Sequence, residues 1–224
     1  VKNMKFKAFA ATLFLSTGFA AQAYADNPEH IQRLLRTLEC QRCELSNIDI
    51  NSANLAGAFL NNADLGNSRL REVNLTRSEL SGTDLRDANL IGANVNNSFA
   101  VRADLYGANL LGANIRNSRL KYADLRKANL SQTNLIDAEL VYANLTGANL
   151  SNASLRQASL YRANLAGANL QNADLYRADF SGADLSGADL TGADITRATF
   201  NETKMCKTIL PDGKVSKEGC PWGE

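Results

Sequence analysis

A single histidine, His30, is all the imidazole chemistry this chain has. That scarcity excludes most Ser/His/Asp and Cys/His catalytic arrangements, which need a ring beside the nucleophile. No G-x-x-x-x-G-K-[ST] occurs, so no P-loop cradles a phosphate. Excess charge of either sign is missing too: 24 Lys and Arg stand against 23 Asp and Glu. A chain this close to neutral has no overall bias towards nucleic acid or an anionic membrane. The apolar stretch from Ala8 to Ala21 is too short to span a bilayer.

What is there is a repeat of five. From Leu45 to Phe200 every fifth residue is apolar, without a slip in register. Leu fills 25 of these 32 central positions; the others are Ile50, Val95, Ala100, Ile115, Phe180, Ile195 and Phe200. Two residues earlier stands Ala, or another small or β-branched residue such as Cys43, Ser68, Val73 or Thr83. Five suits neither an α-helix, at 3.6 residues per turn, nor a flat strand, at two. The chain must therefore turn through a fixed angle every five residues. The two apolar positions point into a core, and the small one leaves room where the chain turns. The other three positions carry Asn, Asp, Gly, Ser, Arg and Gln, which face water and make turns. The pattern predicts a solenoid in which each unit is stable through its neighbours.

The unit A-[D/N]-L-x-x, as in Ala88-Asn89-Leu90, Ala108-Asn109-Leu110 and Ala148-Asn149-Leu150, resembles that of pentapeptide-repeat proteins. The resemblance implies an all-β fold, a right-handed quadrilateral β-helix with four units per 20-residue coil. Thirty-two units make about eight coils. At ~4.8 Å per coil the rod is roughly 35–40 Å long.

Four segments are expected. Residues 1–25 read as a secretory signal: Lys2, Lys5 and Lys7, an apolar stretch, then Ala23-Tyr24-Ala25 as the cleavage site. Its removal takes away three Lys and no acid, leaving 21 basic and 23 acidic residues. Residues 26–40 read as a capping helix. Asp26-Asn27-Pro28-Glu29 is a helix start, followed by Ile31, Leu34, Leu35 and Leu38 at helical spacing. Residues 41–205 form the β-helix. Residues 206–224 form a tail in which Pro211-Asp212-Gly213 signals a turn. In an exported chain Cys206 and Cys220 are expected to pair, and their ~15-residue loop would contribute about 3 kcal/mol. The tail and the segment Leu34 to Cys43 are similar to those of cyanobacterial pentapeptide-repeat proteins of the periplasm or thylakoid lumen. That similarity places the mature chain, without a membrane span, in one of those compartments.

Cys40-Gln41-Arg42-Cys43 reads as a structural disulfide or as two small buried residues of the first coil. A dithiol redox site is the alternative; it wants an exposed, low-pKa thiolate near a helix end. A zinc site would need two more ligands, and no metal or cofactor is implied. Asp64, Asp84, Asp104 and Asp124 recur every 20 residues and should form a column. Because Asp and Asn fill 22 of the 32 positions before a centre, the column belongs to the repeat.

Sorting positions modulo 20 separates four faces. On three, the residue before the centre is mostly Asn or Asp. On the fourth, centred at 60, 80, 100, 120, 140 and 160, it is Phe59, Glu79, Phe99, Arg119, Glu139 and Ser159. Phe99, Arg102, Arg119, Tyr122, Tyr142, Tyr161 and Arg162 should gather there. Surface aromatics with Arg are the usual material of a protein interface. Cross-strand stacking that merely stiffens the sheet is the other reading. The resulting expectation is a non-catalytic structural or protein-interaction module whose partner is a protein rather than nucleic acid. One alternative is a DNA mimic that binds gyrase, as quinolone-resistance pentapeptide proteins do; this would require a cytosolic, strongly anionic chain. Another is a redox carrier using Cys40 and Cys43.

Overall fold

The computed structural model describes residues 27–220. The expected signal segment, residues 1–25, lies outside the described residues.

Each residue before a centre pairs in parallel with its counterpart 20 residues on, from Glu39 with Phe59 to Asp189 with Ile209. Four turns separate such partners, so one circuit of the chain has four sides. The reason lies in the backbone donors of one unit. Leu65 N–H donates to Asp84 O at 2.8 Å, and Asn67 N–H to Arg86 O at 2.8 Å, both in the following coil. Arg69 N–H donates to Ile48 O at 2.8 Å in the preceding coil. Ser68 N–H closes the turn onto Leu65 O at 3.2 Å. The remaining donor, Gly66 N–H, meets the side chain of Asp64, Oδ1 at 2.9 Å. The Asn or Asp before most centres is thus the acceptor for the one N–H the coil itself cannot reach. Thr76 on Asn74, Ile91 on Asn89 and Thr146 on Asn144 repeat the arrangement.

At every turn from Arg42 to Lys207 the second residue is left-handed, with φ of 56° at Asn67, 73° at Gly57 and 60° at Tyr122. Such a backbone costs a non-Gly residue about 1–2 kcal/mol, which accounts for the many Gly and Asn there. The Leu column repays it. Leu125, Leu140 and Leu160 are buried, like nearly every centre, each contributing roughly 1.5–3 kcal/mol. Nearly all the small positions are buried as well. Most hydroxyls that replace Ala find a carbonyl, as Ser68 does on Leu45 O at 3.0 Å and Thr83 on Leu60 O at 2.9 Å; the buried Ser98 Oγ is the exception.

The register runs further than the sequence suggested. Cys40 occupies a centre before Leu45, while Met205 and Leu210 continue the column beyond Phe200. Helix α1 spans Pro28–Thr37. Asn27 caps it by accepting from His30 N–H at 3.3 Å, and Pro28 opens the first turn. Leu34 is buried, and Ile31, Leu35 and Leu38 pack against the core. His30 Nδ1 accepts the Glu44 N–H at 3.1 Å, so the sole imidazole ties α1 to the first coil. At the other end the chain turns at Gly213 and runs back antiparallel. Lys207 N–H donates to Ser216 O at 2.9 Å, and Leu210 N–H to Lys214 O at 2.7 Å. Cys206 and Cys220 are joined across this hairpin.

Two outcomes are expected. Leu125→Asp buries an unpaired charge in the middle of the column. It should destabilise by at least about 3 kcal/mol in denaturant unfolding, with far-ultraviolet dichroism of the parent showing mostly β and turn. The second concerns acid. The Arg86 guanidinium, with Nε 2.9 Å from Asp84 Oδ1, holds the Asp84 carboxyl below the usual range; Arg126 does the same to Asp124. Depressed carboxylates stabilise above their unfolded value near ~4 and lose that contribution as pH falls through the lower folded-state value. Arg86 is solvent-exposed, so screening keeps the contribution small. Carbon-detected titration should place Asp84 below an ordinary Asp, and Arg86→Gln should move it back up. A midpoint that ignores the substitution would show that Arg86 is not the cause.

Candidate functional site: an aromatic and arginine face

The four-sided coil stacks equivalent outward positions at the ladder spacing, so residues 20 apart become neighbours. Phe99, Arg119, Glu139 and Ser159 form one such column, bridged in order. Arg102, Tyr122, Tyr142 and Arg162 form a second, all at left-handed turn positions with φ between 54° and 60°. The rings of Tyr122 and Tyr142 lie 5.2 Å apart and parallel within 1°. Tyr161 meets Tyr142 edge-on at 6.0 Å. Arg102 lies over Tyr122 at 5.6 Å, Arg119 over Phe99 at 4.8 Å and Arg162 over Tyr161 at 5.2 Å. Arg162 also donates to the Tyr142 hydroxyl at 3.3 Å, which raises the guanidinium pKa.

All seven sequence-selected residues therefore share one side of the rod, across four consecutive coils. Two further residues join them. Glu139 pairs with Lys121 at 3.0 Å and with Arg119 at 3.8 Å, holding the cations in place. Tyr122 stays 52% exposed and Tyr142 39%, although each ring already covers part of its neighbour. A left-handed backbone gives a tyrosine no advantage over Gly or Asn, so the rings occupy these sites against local preference.

Sequence reasoning missed a second cluster. Tyr176 is surrounded by Arg156, Arg177 and Arg197, at 4.5, 5.2 and 5.9 Å from its ring, and Arg197 donates to its hydroxyl at 3.2 Å. Sorting by 20 carries the signal, on the face centred at 155, 175 and 195. It holds one aromatic, however, and so shows no column of rings.

The acidic column is structural. Asp64, Asp84 and Asp104 each accept the N–H two residues on, and Arg86 lies against both Asp84 and Asp104. Among the described residues no group of three or more His, Cys, Asp and Glu could hold a metal ion, and no helix is long and apolar enough to cross a membrane. Cys40 and Cys43 are joined, with both side chains turned into the first coil and almost fully buried.

The repeat occurs in known proteins. A family model for pentapeptide repeats matches residues 43–82, 83–121, 113–152, 143–182 and 173–210, together well over half of the chain. The chain is similar to HetL, a pentapeptide repeat protein involved in heterocyst differentiation regulation, from the cyanobacterium Nostoc sp. strain PCC 7120. The two are 35% identical over 79% of this chain and 92% of HetL, with a TM-score of 0.42. A pentapeptide repeat protein from the Arabidopsis thaliana thylakoid lumen is 33% identical over 50% of this chain and 65% of its own, with a TM-score of 0.25. QnrB1, a plasmid-mediated fluoroquinolone resistance protein, is 19% identical over 70% of this chain and 88% of its own, with a TM-score of 0.48. No curated protein matches. The five-residue unit, the 20-residue ladder and the match across residues 43–210 agree, and the chain belongs to the pentapeptide repeat family, whose members form right-handed β-helices.

Proposed function

We propose that this protein is a non-catalytic interaction module of an oxidising, exported compartment, the periplasm or the thylakoid lumen. Its right-handed, four-sided rod of about eight coils, lidded by α1, presents the aromatic and arginine face to a protein partner. The observation that carries this reading is the Tyr122–Tyr142 stack, about half exposed to solvent at its edges and flanked by Arg102 and Arg162. Rigid aromatics and Arg dominate the energetics of protein interfaces. The leader-like first 25 residues and two joined cysteine pairs support the compartment.

Other readings fit less well. A DNA mimic of the kind that confers quinolone resistance needs an anionic surface, whereas this face carries Arg102, Arg119, Lys121 and Arg162 against two carboxylates, Glu79 and Glu139. A redox role needs an accessible sulfur, yet Cys40 and Cys43 face the core, away from an attacking thiolate.

The test is the double substitution Tyr122→Ser with Tyr142→Ser. Serine also occupies a left-handed position at Ser52, so the turn accepts it. Both side chains lie outside the Leu column, and the melting temperature should stay within a few degrees. Partner capture from intact exporting cells should fall about a hundredfold, the loss expected of two anchoring rings. Unchanged capture combined with a much lower melting temperature would make the tyrosines structural and move the interface elsewhere.

A further inference from the structure

On three faces an Asn or Asp before the centre closes the first N–H of most turns, and at Arg71 and Arg116 an Asn of the preceding coil does so, Asn51 and Asn96. The aromatic face lacks that acceptor. Its residues before the centres are Phe99, Arg119, Glu139 and Ser159, and the N–H groups of Val101, Lys121, Val141 and Tyr161 make no hydrogen bond among the described residues. These donors open outwards. In the same column the Ser81 N–H meets Asn61 Oδ1 at 3.0 Å, and the Ser181 N–H meets Asp179 Oδ1 at 3.0 Å; both acceptors are surface side chains.

Four consecutive coils thus present a row of backbone donors at ~4.8 Å intervals, about 14 Å from end to end. Within these four coils Arg102, Arg119, Lys121 and Arg162 stand against Glu139, and Glu79 and Asp179 flank the row one coil away at either end. The surface is rich in donors, poor in acceptors and positively charged.

We infer that this row binds an acidic segment of a protein partner, with Asp or Glu carboxylates accepting from the free N–H groups. This rests on the protein-binding reading and gives it a chemistry. A carboxylate on a backbone N–H makes a charge-assisted hydrogen bond, stronger than a neutral one. The neighbouring guanidiniums add long-range attraction of the same sign. A nucleic acid offers anions too, but single strands bind by stacking bases on open aromatic faces. Here Tyr122 and Tyr142 lie parallel at 5.2 Å, and Arg102 covers Tyr122 from the other side. The faces of that stack are taken, and carboxylate recognition needs none of them.

The repeat itself supplies the decisive variant. Ser159→Asn installs the side chain that elsewhere closes the turn, and so should occupy the Tyr161 N–H without changing the charge. The purified, oxidised, isotope-labelled protein is titrated with a ten-residue glutamate peptide while its amide signals are followed. The signals of Val101, Lys121, Val141 and Tyr161 should move together. In Ser159→Asn the Tyr161 signal should stop responding and affinity should fall about tenfold, one charge-assisted hydrogen bond's share. Ser159→Ala, which adds no acceptor, should behave like the parent. An otherwise unchanged amide spectrum shows that each variant is folded.

Three results overturn the inference: silent amides at all four positions, Ser159→Asn binding as well as Ser159→Ala, or a ten-nucleotide deoxyadenosine strand binding as tightly as the glutamate peptide. If the four amides stay silent while Tyr122→Ser with Tyr142→Ser still loses its partner, the donor row fails and the protein-binding face stands.

Discussion

Every five residues the backbone brings five N–H groups that must find acceptors, and the coil by itself reaches four. Two go to the following coil, one to the preceding coil and one across the turn. The fifth depends on a side chain, as Gly66 N–H does on Asp64. This one shortfall shapes the rest of the molecule. It fixes Asn and Asp before most centres and sets their side chains on the outer surface. It also makes the acidic column from Asp64 to Asp124 a matter of backbone satisfaction rather than chemistry. Where the residue before the centre is Phe99, Arg119, Glu139 or Ser159, the shortfall shows.

The energetic balance has two recurring parts. Each turn holds its second residue in the left-handed region, which costs all residues except Gly. Each centre buries a large apolar side chain, and the favourable contribution of Leu exceeds the turn's cost. At Ala100 the contribution is smaller, since the centre holds only a methyl group. That weak layer sits inside the aromatic face. Phe99 and Arg119 stack on its outside, and parallel bridges tie it to the coils on either side. The core is thinnest where the surface is most elaborated.

Much of this was legible in the sequence because the period is strict. The Leu column, the small residue at the corner and the four-way sorting of faces follow from counting alone. So does the gathering of Tyr122, Tyr142 and Arg162, since stacking at a fixed interval turns sequence distance into spatial contact. Other features resisted counting. Cys40 and Met205 hold central positions, but neither looks like Leu, so the register seemed to begin later and stop earlier. The role of Asp and Asn was visible as frequency and not as hydrogen bonding. The Tyr176 cluster was passed over because it holds one ring: Arg156 shares its column and Arg177 and Arg197 the next, so no aromatic column marks it. The duty of His30 in tying α1 to Glu44 depends on where the helix lies, and spacing along the chain does not say.

The C-terminal hairpin covers only part of the last coil. It pairs with residues 205–210, while the N–H groups of Ile195, Arg197, Phe200 and Glu202 have no partner among the described residues. Ile195 is 38% exposed there, and Phe200 is only partly covered. In a stack held together by neighbours, a layer with one neighbour opens first. One end of the rod is clamped by α1; the other is clamped along part of its perimeter. Fraying should therefore start at a single corner and travel as a zipper towards α1, giving the rod a direction in how it comes apart that its repeating sequence does not have.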